Sequence, residues 1–249
     1  SKFTGDHVVL WVGEGALSDS AASAFLRDLQ AGVAEIERIL GTRLDLDHYG
    51  PEDEIHVFVD EGIGVSHVYG SYAHMKHPRP YLFLDAAKVL SGEAPYLHEL
   101  THILAWEFGS HSLREGLASW VESTIRAKLG STTDALFGAT SLEAVDSQAA
   151  LRLVEPAAAE VLPWIGTAGF APRSVTTPER PRVRATYYTL SQSFAQHLIR
   201  ELGVDAFLEV YRSADPASEL PQGTGMTLDE WKLRWQQYLA DSAQPQDPN

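Results

Sequence analysis

The chain has 249 residues, 44% of them apolar and 21% charged, enough for a full apolar core in one large domain or two lobes and too hydrophobic for wholesale disorder. Lys and Arg number 19 against 34 Asp and Glu, a formal net charge of −15, so phosphate backbones are repelled and nucleic acid is not an expected partner. Cysteine is absent, which removes disulfides, thiolate metal ligands and a cysteine nucleophile together, and no apolar run approaches the ~20 residues of a membrane span.

The first ninety residues alternate strand and helix patterns. His7 to Val12 is β-rich between two glycines and predicts a strand. From Ser18 to Leu40, Phe25, Leu29, Val33 and Ile36 recur at helical spacing, and Gly41 marks the stop. Glu54 to Asp60 alternates apolar and polar residues, and Val65 to Ser71 and Arg79 to Asp85 predict two further strands joined around His74 and His77. From residue 91 the pattern is helical. Pro95 to Phe108 predicts a helix with Pro in its first turn and Gly109 beyond its end, and Leu113 to Leu129 a second, stopped by Gly130. Residues 131 to 155, rich in Ala and Ser, are expected to be helical in part. Pro156 to Arg184 carries Pro156, Pro163, Pro172, Pro178 and Pro181 and reads as a long irregular loop. Thr186 to Leu202 and Asp205 to Tyr211 predict helices. Thr227-Leu228-Asp229-Glu230 has the form of a capping box and opens a last helix through Leu239, before a polar tail expected to fray. The fold class is α+β: a small mixed β-sheet lobe at 1–90, followed by a mainly helical lobe at 91–249.

Chemistry concentrates at residues 98 to 102, His-Glu-Leu-Thr-His. On a helix, positions i and i+4 share a face, so both imidazoles can reach one ion, while Glu99 projects beside it and can take a proton from a metal-bound water. A chain of this composition yields roughly 0.03 matches to the pattern by chance. A catalytic zinc site takes a third protein ligand and keeps a position open for water. Glu107, His111 and Glu115 follow in order. Glu107 is rotated away from the histidine face of the predicted helix, His111 falls in a turn, and Glu115 opens the next helix. Ser112-Leu113-Arg114-Glu115 also reads as a capping box, which would engage the Glu115 carboxylate with backbone N–H groups. Gly116 favours a functional role for the segment, since a helix interior tolerates Gly poorly unless something approaches closely. Ser119 and Glu122 lie further along the same face as candidate partners for the imidazoles. The metzincin pattern is excluded, because Ala105 and Phe108 stand where it requires Gly and His.

The motif at 98–102, followed by Arg114-Glu115-Gly116-Leu117-Ala118-Ser119-Trp120, resembles the gluzincin zinc metallopeptidases, and most closely their bacterial peptidase MA-like branch. The specific motifs occupy about twenty residues, although the order of elements matches over roughly 80 to 240. The spacing departs from the better-known relatives in being shorter between His102 and Glu115, so the connection must be tight. The resemblance implies a zincin-like fold and Zn2+ held by His98, His102 and Glu115. It implies Glu99 as general base on the zinc-bound water, and a Tyr at the head of a later helix as donor to the oxyanion, which falls on Tyr188 with Tyr187 one residue off. The expected activity is hydrolysis of peptide bonds in a peptide or protein substrate. Endopeptidase action is favoured, because Tyr69 to Lys76 lacks the carboxylate with which the aminopeptidases anchor a substrate amine. The alternative is a catalytically inactive zinc-binding or partner-binding member of the same fold. The strand at 79–85 is the expected edge for an extended substrate, and the loop at 156–184, with Arg173, Arg180, Arg182 and Arg184, is expected to influence substrate choice. The resemblance and the start without Met favour export with a signal segment removed.

Overall fold

A computed structural model describes residues 1–41, 54–69, 80–128 and 141–242. The polar connection around His74 and His77, residues 131–140 and the tail from 243 lie outside the described residues, as does Gly70 to Lys76 of the segment compared with the aminopeptidase anchor. The chain divides into two units, Ser1–Trp106 and Glu107–Asn249.

Among its described residues the first unit has five strands: β1 (Lys2–Thr4), β2 (Val8–Val12), β3 (Ile55–Asp60), β4 (His67–Tyr69) and β5 (Tyr81–Asp85). Their order is β1-β2-β3-β5-β4, with β2, β3 and β5 parallel and the outer pairings antiparallel. Alternation sets the core face: Leu10, Val57 and Leu82 lie in register across three strands, as do Val12, Val59 and Leu84, and all are buried. On the opposite face Lys2, Trp11, Phe58, Phe83 and His67 form one register row across the whole sheet. Phe83 stacks on Phe58 and on His67, each at 5.0 Å between ring centroids. Because β5 pairs with both β3 and β4, the strand expected to be an open edge is internal, and among the described residues β4 lies outside it. A three-residue strand carries too little pattern to reveal that it continues the sheet.

Helix α1 (Asp19–Leu40) is capped by the Ser18 hydroxyl, which accepts from the Ala21 N–H, and lays Ala22, Phe25, Leu26, Leu29, Val33 and Ile36 into the core. A short helix, α2 (Ala86–Ser91), follows β5 directly, with Asp85 as N-cap. Helix α3 (Tyr96–Leu104) packs on α1, where Gly32 leaves room for Leu97 and Tyr96. This motif helix therefore belongs with the sheet-bearing unit. It ends at Leu104, well before the predicted Phe108. The residues beyond are committed elsewhere: the Gly109 N–H donates to the Tyr211 carbonyl and the Gly109 carbonyl accepts from Gly169, bonds that a continuing helix could not make. A Cβ at Gly109 would lie 1.5 Å from the Ser213 carbonyl oxygen, which accounts for the glycine better than a helix stop does.

The second unit is helical: α4 (His111–Lys128), α5 (Leu142–Leu153), α6 (Pro156–Val161), α7 (Arg173–Thr176), α8 (Pro181–Leu202), α9 (Val204–Arg212), α10 (Pro216–Thr224) and α11 (Leu228–Ser242). The stretch 156–184 is not an irregular loop. It holds α6, a 3₁₀ turn at Leu162–Trp164, α7 and the first turn of α8. Two of its prolines sit at first helical positions, where the missing N–H costs nothing, so they open helices rather than break them. The capping box of α11 forms as predicted, with the Thr227 N–H donating to Glu230 at 2.7 Å and the Glu230 N–H to Thr227 Oγ1 at 3.3 Å. No described helix is long and apolar enough to cross a membrane.

Helix α8 is the axis of this unit, packed by α4, α5, α6, α7, α9 and α11. Tyr187, Leu190, Phe194 and Leu198 are fully buried along it. Polar groups link it to α5 and α11: Asp146 accepts from Ser193, Gln196 and Tyr238, and Ser193 accepts from the Trp235 indole. Burial pushes the Asp146 carboxyl above the usual carboxylate range, against the pull of those bonds and of Arg200.

At Gly116, α4 lies directly against α8. A Cβ there would meet the Ser191 carbonyl oxygen at 2.4 Å and Ala195 Cβ at 2.7 Å. Helix propensity alone would make Gly116→Ala stabilising by about 1 kcal/mol. The colliding atoms are backbone and Cβ, which cannot swing aside, so overpacking of about 1–3 kcal/mol should win. Urea unfolding should show a lower midpoint for Gly116→Ala, and a higher one would mean that the helices separate freely at this point.

Candidate metal centre

Helix α3 presents its apolar residues Leu97, Leu100 and Ile103 to the core and carries His98 and His102 one turn apart. Thr101 donates back to the Leu97 carbonyl at 2.8 Å and tightens the turn between them. The two imidazoles are 2% and 3% exposed, and their Nε2 atoms face each other at 3.1 Å. Two nitrogens bound tetrahedrally to one zinc at ~2.0–2.1 Å stand about 3.3 Å apart. The pair therefore already has the separation of two ligands sharing an ion. Glu99, between them in sequence, is 8% exposed.

Helix α4 begins at His111, one residue before the serine of the predicted capping box. Ser112 instead accepts from the Gly166 N–H at 2.7 Å. Glu115 lies well inside the helix and does not cap it; its Oε1 accepts from Arg114 at 2.7 Å, with both residues buried. Arg114, whose guanidinium also lies 5.2 Å from the centre of the Phe108 ring, fixes the orientation of the carboxylate and balances its charge. That partner was invisible in the sequence, because residues adjacent on a helix point about 100° apart and are not expected to pair.

His98 and His102 of the first unit and Glu115 of the second are each buried. Two imidazole nitrogens and a carboxylate oxygen are a donor set suited to zinc. The other candidates are placed differently. Glu107 lies beyond the end of α3 and is exposed. His111 has Nδ1 at 2.8 Å from the Tyr187 hydroxyl and Nε2 at 3.6 Å from Glu115 Oε1; burial holds its pKa below the usual histidine value, outweighing the attraction of Glu115. Glu122 is 1% exposed and pairs with Arg126 at 3.0 Å, so it is not a solvated surface charge. The Ser119 carbonyl accepts from Gln192, which ties α4 to α8.

The adjacent tyrosines of α8 have separate environments. Tyr187 is 0% exposed and stacks on His111 at 5.8 Å. Tyr188 is half-buried, its pKa pushed up to about 12 by burial and by the charge of Glu115, and Arg184 lies over its ring at 5.3 Å. The arginines that stood out in the sequence separate as well. Arg180 pairs with Glu160 and Arg182 with Glu155, whereas Arg173 is exposed. No protein-family model matches the chain, and no curated protein matches it.

Proposed function

We propose that this chain is a metal-dependent hydrolase and, more narrowly, a zinc peptidase of the gluzincin kind acting within peptide chains. The observation that carries the reading is the buried His98–His102 pair, with facing Nε2 atoms 3.1 Å apart; Glu115 would be the third donor. When bound, zinc would polarise the scissile carbonyl and acidify the attacking water. Glu99 would take the proton of that water and pass it to the leaving amine. Tyr188 would donate to the oxygen that gains charge as the carbonyl is attacked. Arg114 would hold the Glu115 carboxylate in one orientation, as partners of metal-binding carboxylates do.

Metal analysis of the purified chain tests the first step: about one zinc per chain is expected, and His102→Ala should lose it while keeping the circular dichroism of the parent. A parent chain that takes up no zinc would overturn the reading. Incubation of the zinc-loaded chain with a peptide library tests the second. Internal cleavage supports an endopeptidase, release of N-terminal residues alone would replace that narrower reading, and no hydrolysis with zinc bound would leave a binding protein on the same scaffold.

A further inference from the structure

We infer that Arg184 binds a carboxylate group of the substrate, a proposal that rests on the peptidase reading above. Three arginines crowd the start of α8, at 180, 182 and 184. The positive end of a helix dipole is an unfavourable place for cations, and no acidic residue lies in this first turn. Arg180 and Arg182 are offset by Glu160 and Glu155, at 2.9 and 3.1 Å. Arg184 pairs with no carboxylate among the described residues, and its Nε is buried without a hydrogen-bond partner. Arg184 is hydrogen-bonded to the Tyr188 side chain. In a chain of net charge −15, however, it lacks among the described residues the carboxylate partner that the neighbouring arginines have, and such breaches of a local rule are expected at functional sites.

Its position supplies the role. Arg184 and Tyr188 are one helical turn apart and share a face, with the guanidinium 5.3 Å from the ring centroid. Tyr188 packs edge-on against Tyr187 at 5.5 Å, the Tyr187 hydroxyl meets His111, and His111 stands 3.6 Å from the Glu115 carboxylate. Arg184 thus ends a contiguous line of contacts that starts at the third metal donor. The Tyr188 side chain steadies the guanidinium, and a planar N–H fork matches the two oxygens of a carboxylate. An amide or hydroxyl could satisfy only part of it. The carboxylate can come from an Asp or Glu side chain or from the C-terminus of the peptide.

The test uses the full chain loaded with zinc and two pairs of peptides, one differing by Glu against Gln near the cleaved bond, the other by a free against an amidated C-terminus. The parent is expected to favour the carboxylate member of one pair by about 10- to 100-fold in kcat/KM. The pair that responds identifies the source. In Arg184→Met that ratio should fall to near one, and Arg184→Lys should retain part of it, since charge survives without the fork. A ratio compares two peptides on one protein, so a general loss of activity leaves it unmoved. Direct titration of the same peptides into zinc-loaded Glu99→Gln, with and without Arg184→Met, gives the ratio as binding; Arg184→Gln replaces the Met variant if the latter fails to fold. Equal treatment of both pairs by the parent, or a preference that persists without Arg184, would overturn the inference while cleavage itself upholds the peptidase reading. Zinc-loaded protein that cleaves nothing yet binds carboxylate peptides through Arg184 would do the reverse.

Discussion

Glu99→Gln is expected to keep one zinc per chain and to lower kcat by about 10²- to 10⁴-fold, the range that a positioned general base contributes. Glutamine has nearly the size and shape of glutamate, so the packing of this residue, 8% exposed on α3, should survive the exchange. What it lacks is a carboxylate oxygen that can accept a proton. The zinc donors proposed are His98, His102 and Glu115, and an ion so held would not require the Glu99 carboxylate. The two measurements must therefore separate, with stoichiometry unchanged and turnover collapsed. Loss of zinc from Glu99→Gln would make Glu99 a ligand and displace Glu115 from the set. Full activity would remove the general-base mechanism altogether.

Features written in short-range pattern were legible before the fold was known. The stripe of α1 between Ser18 and Gly41 needs only helical spacing and a cap, and the alternation of Ile55, Val57 and Val59 needs only a pleat. His98 and His102 were legible because four residues on a helix are one turn, whatever the rest of the chain does. Features that depend on remote partners were not. Helix α3 stops early because residues near 109 bond to Tyr211 and Gly169, far away in sequence. Strand β5 is internal because a three-residue strand covers it. Prolines 156 and 181 suggested a loop because Pro breaks a helix interior but is welcome at its first position, and the sequence does not say which applies. In the candidate site, Gly116 was read as a place of close approach before it was clear that the approaching element is the backbone of α8. The Arg114–Glu115 pair stayed hidden because both side chains must bend toward each other.

Tyr188→Phe should lower kcat by roughly 100- to 1,000-fold, corresponding to ~2.7–4 kcal/mol of lost transition-state stabilisation when an oxyanion donor is removed. The choice between the two tyrosines follows from their surroundings. Tyr187 is fully buried and its hydroxyl is engaged with His111 Nδ1 at 2.8 Å, so it serves the packing of α4 on α8. Tyr188 is half-buried and carries Arg184 on its ring. A donor must also keep its proton at working pH, and a hydroxyl pushed up to about 12 by burial and the Glu115 charge is fully protonated near neutrality. The bond it would make forms as charge develops on the substrate oxygen, so KM and zinc content should change little while kcat falls. Tyr187→Phe should act in the other direction, costing about 1 kcal/mol of stability through the lost His111 bond and leaving kcat nearly intact. Should the kinetic loss appear in Tyr187→Phe instead, the donor is one position earlier on α8 and the mechanism stands. Normal turnover in both variants would mean that neither hydroxyl meets the oxyanion.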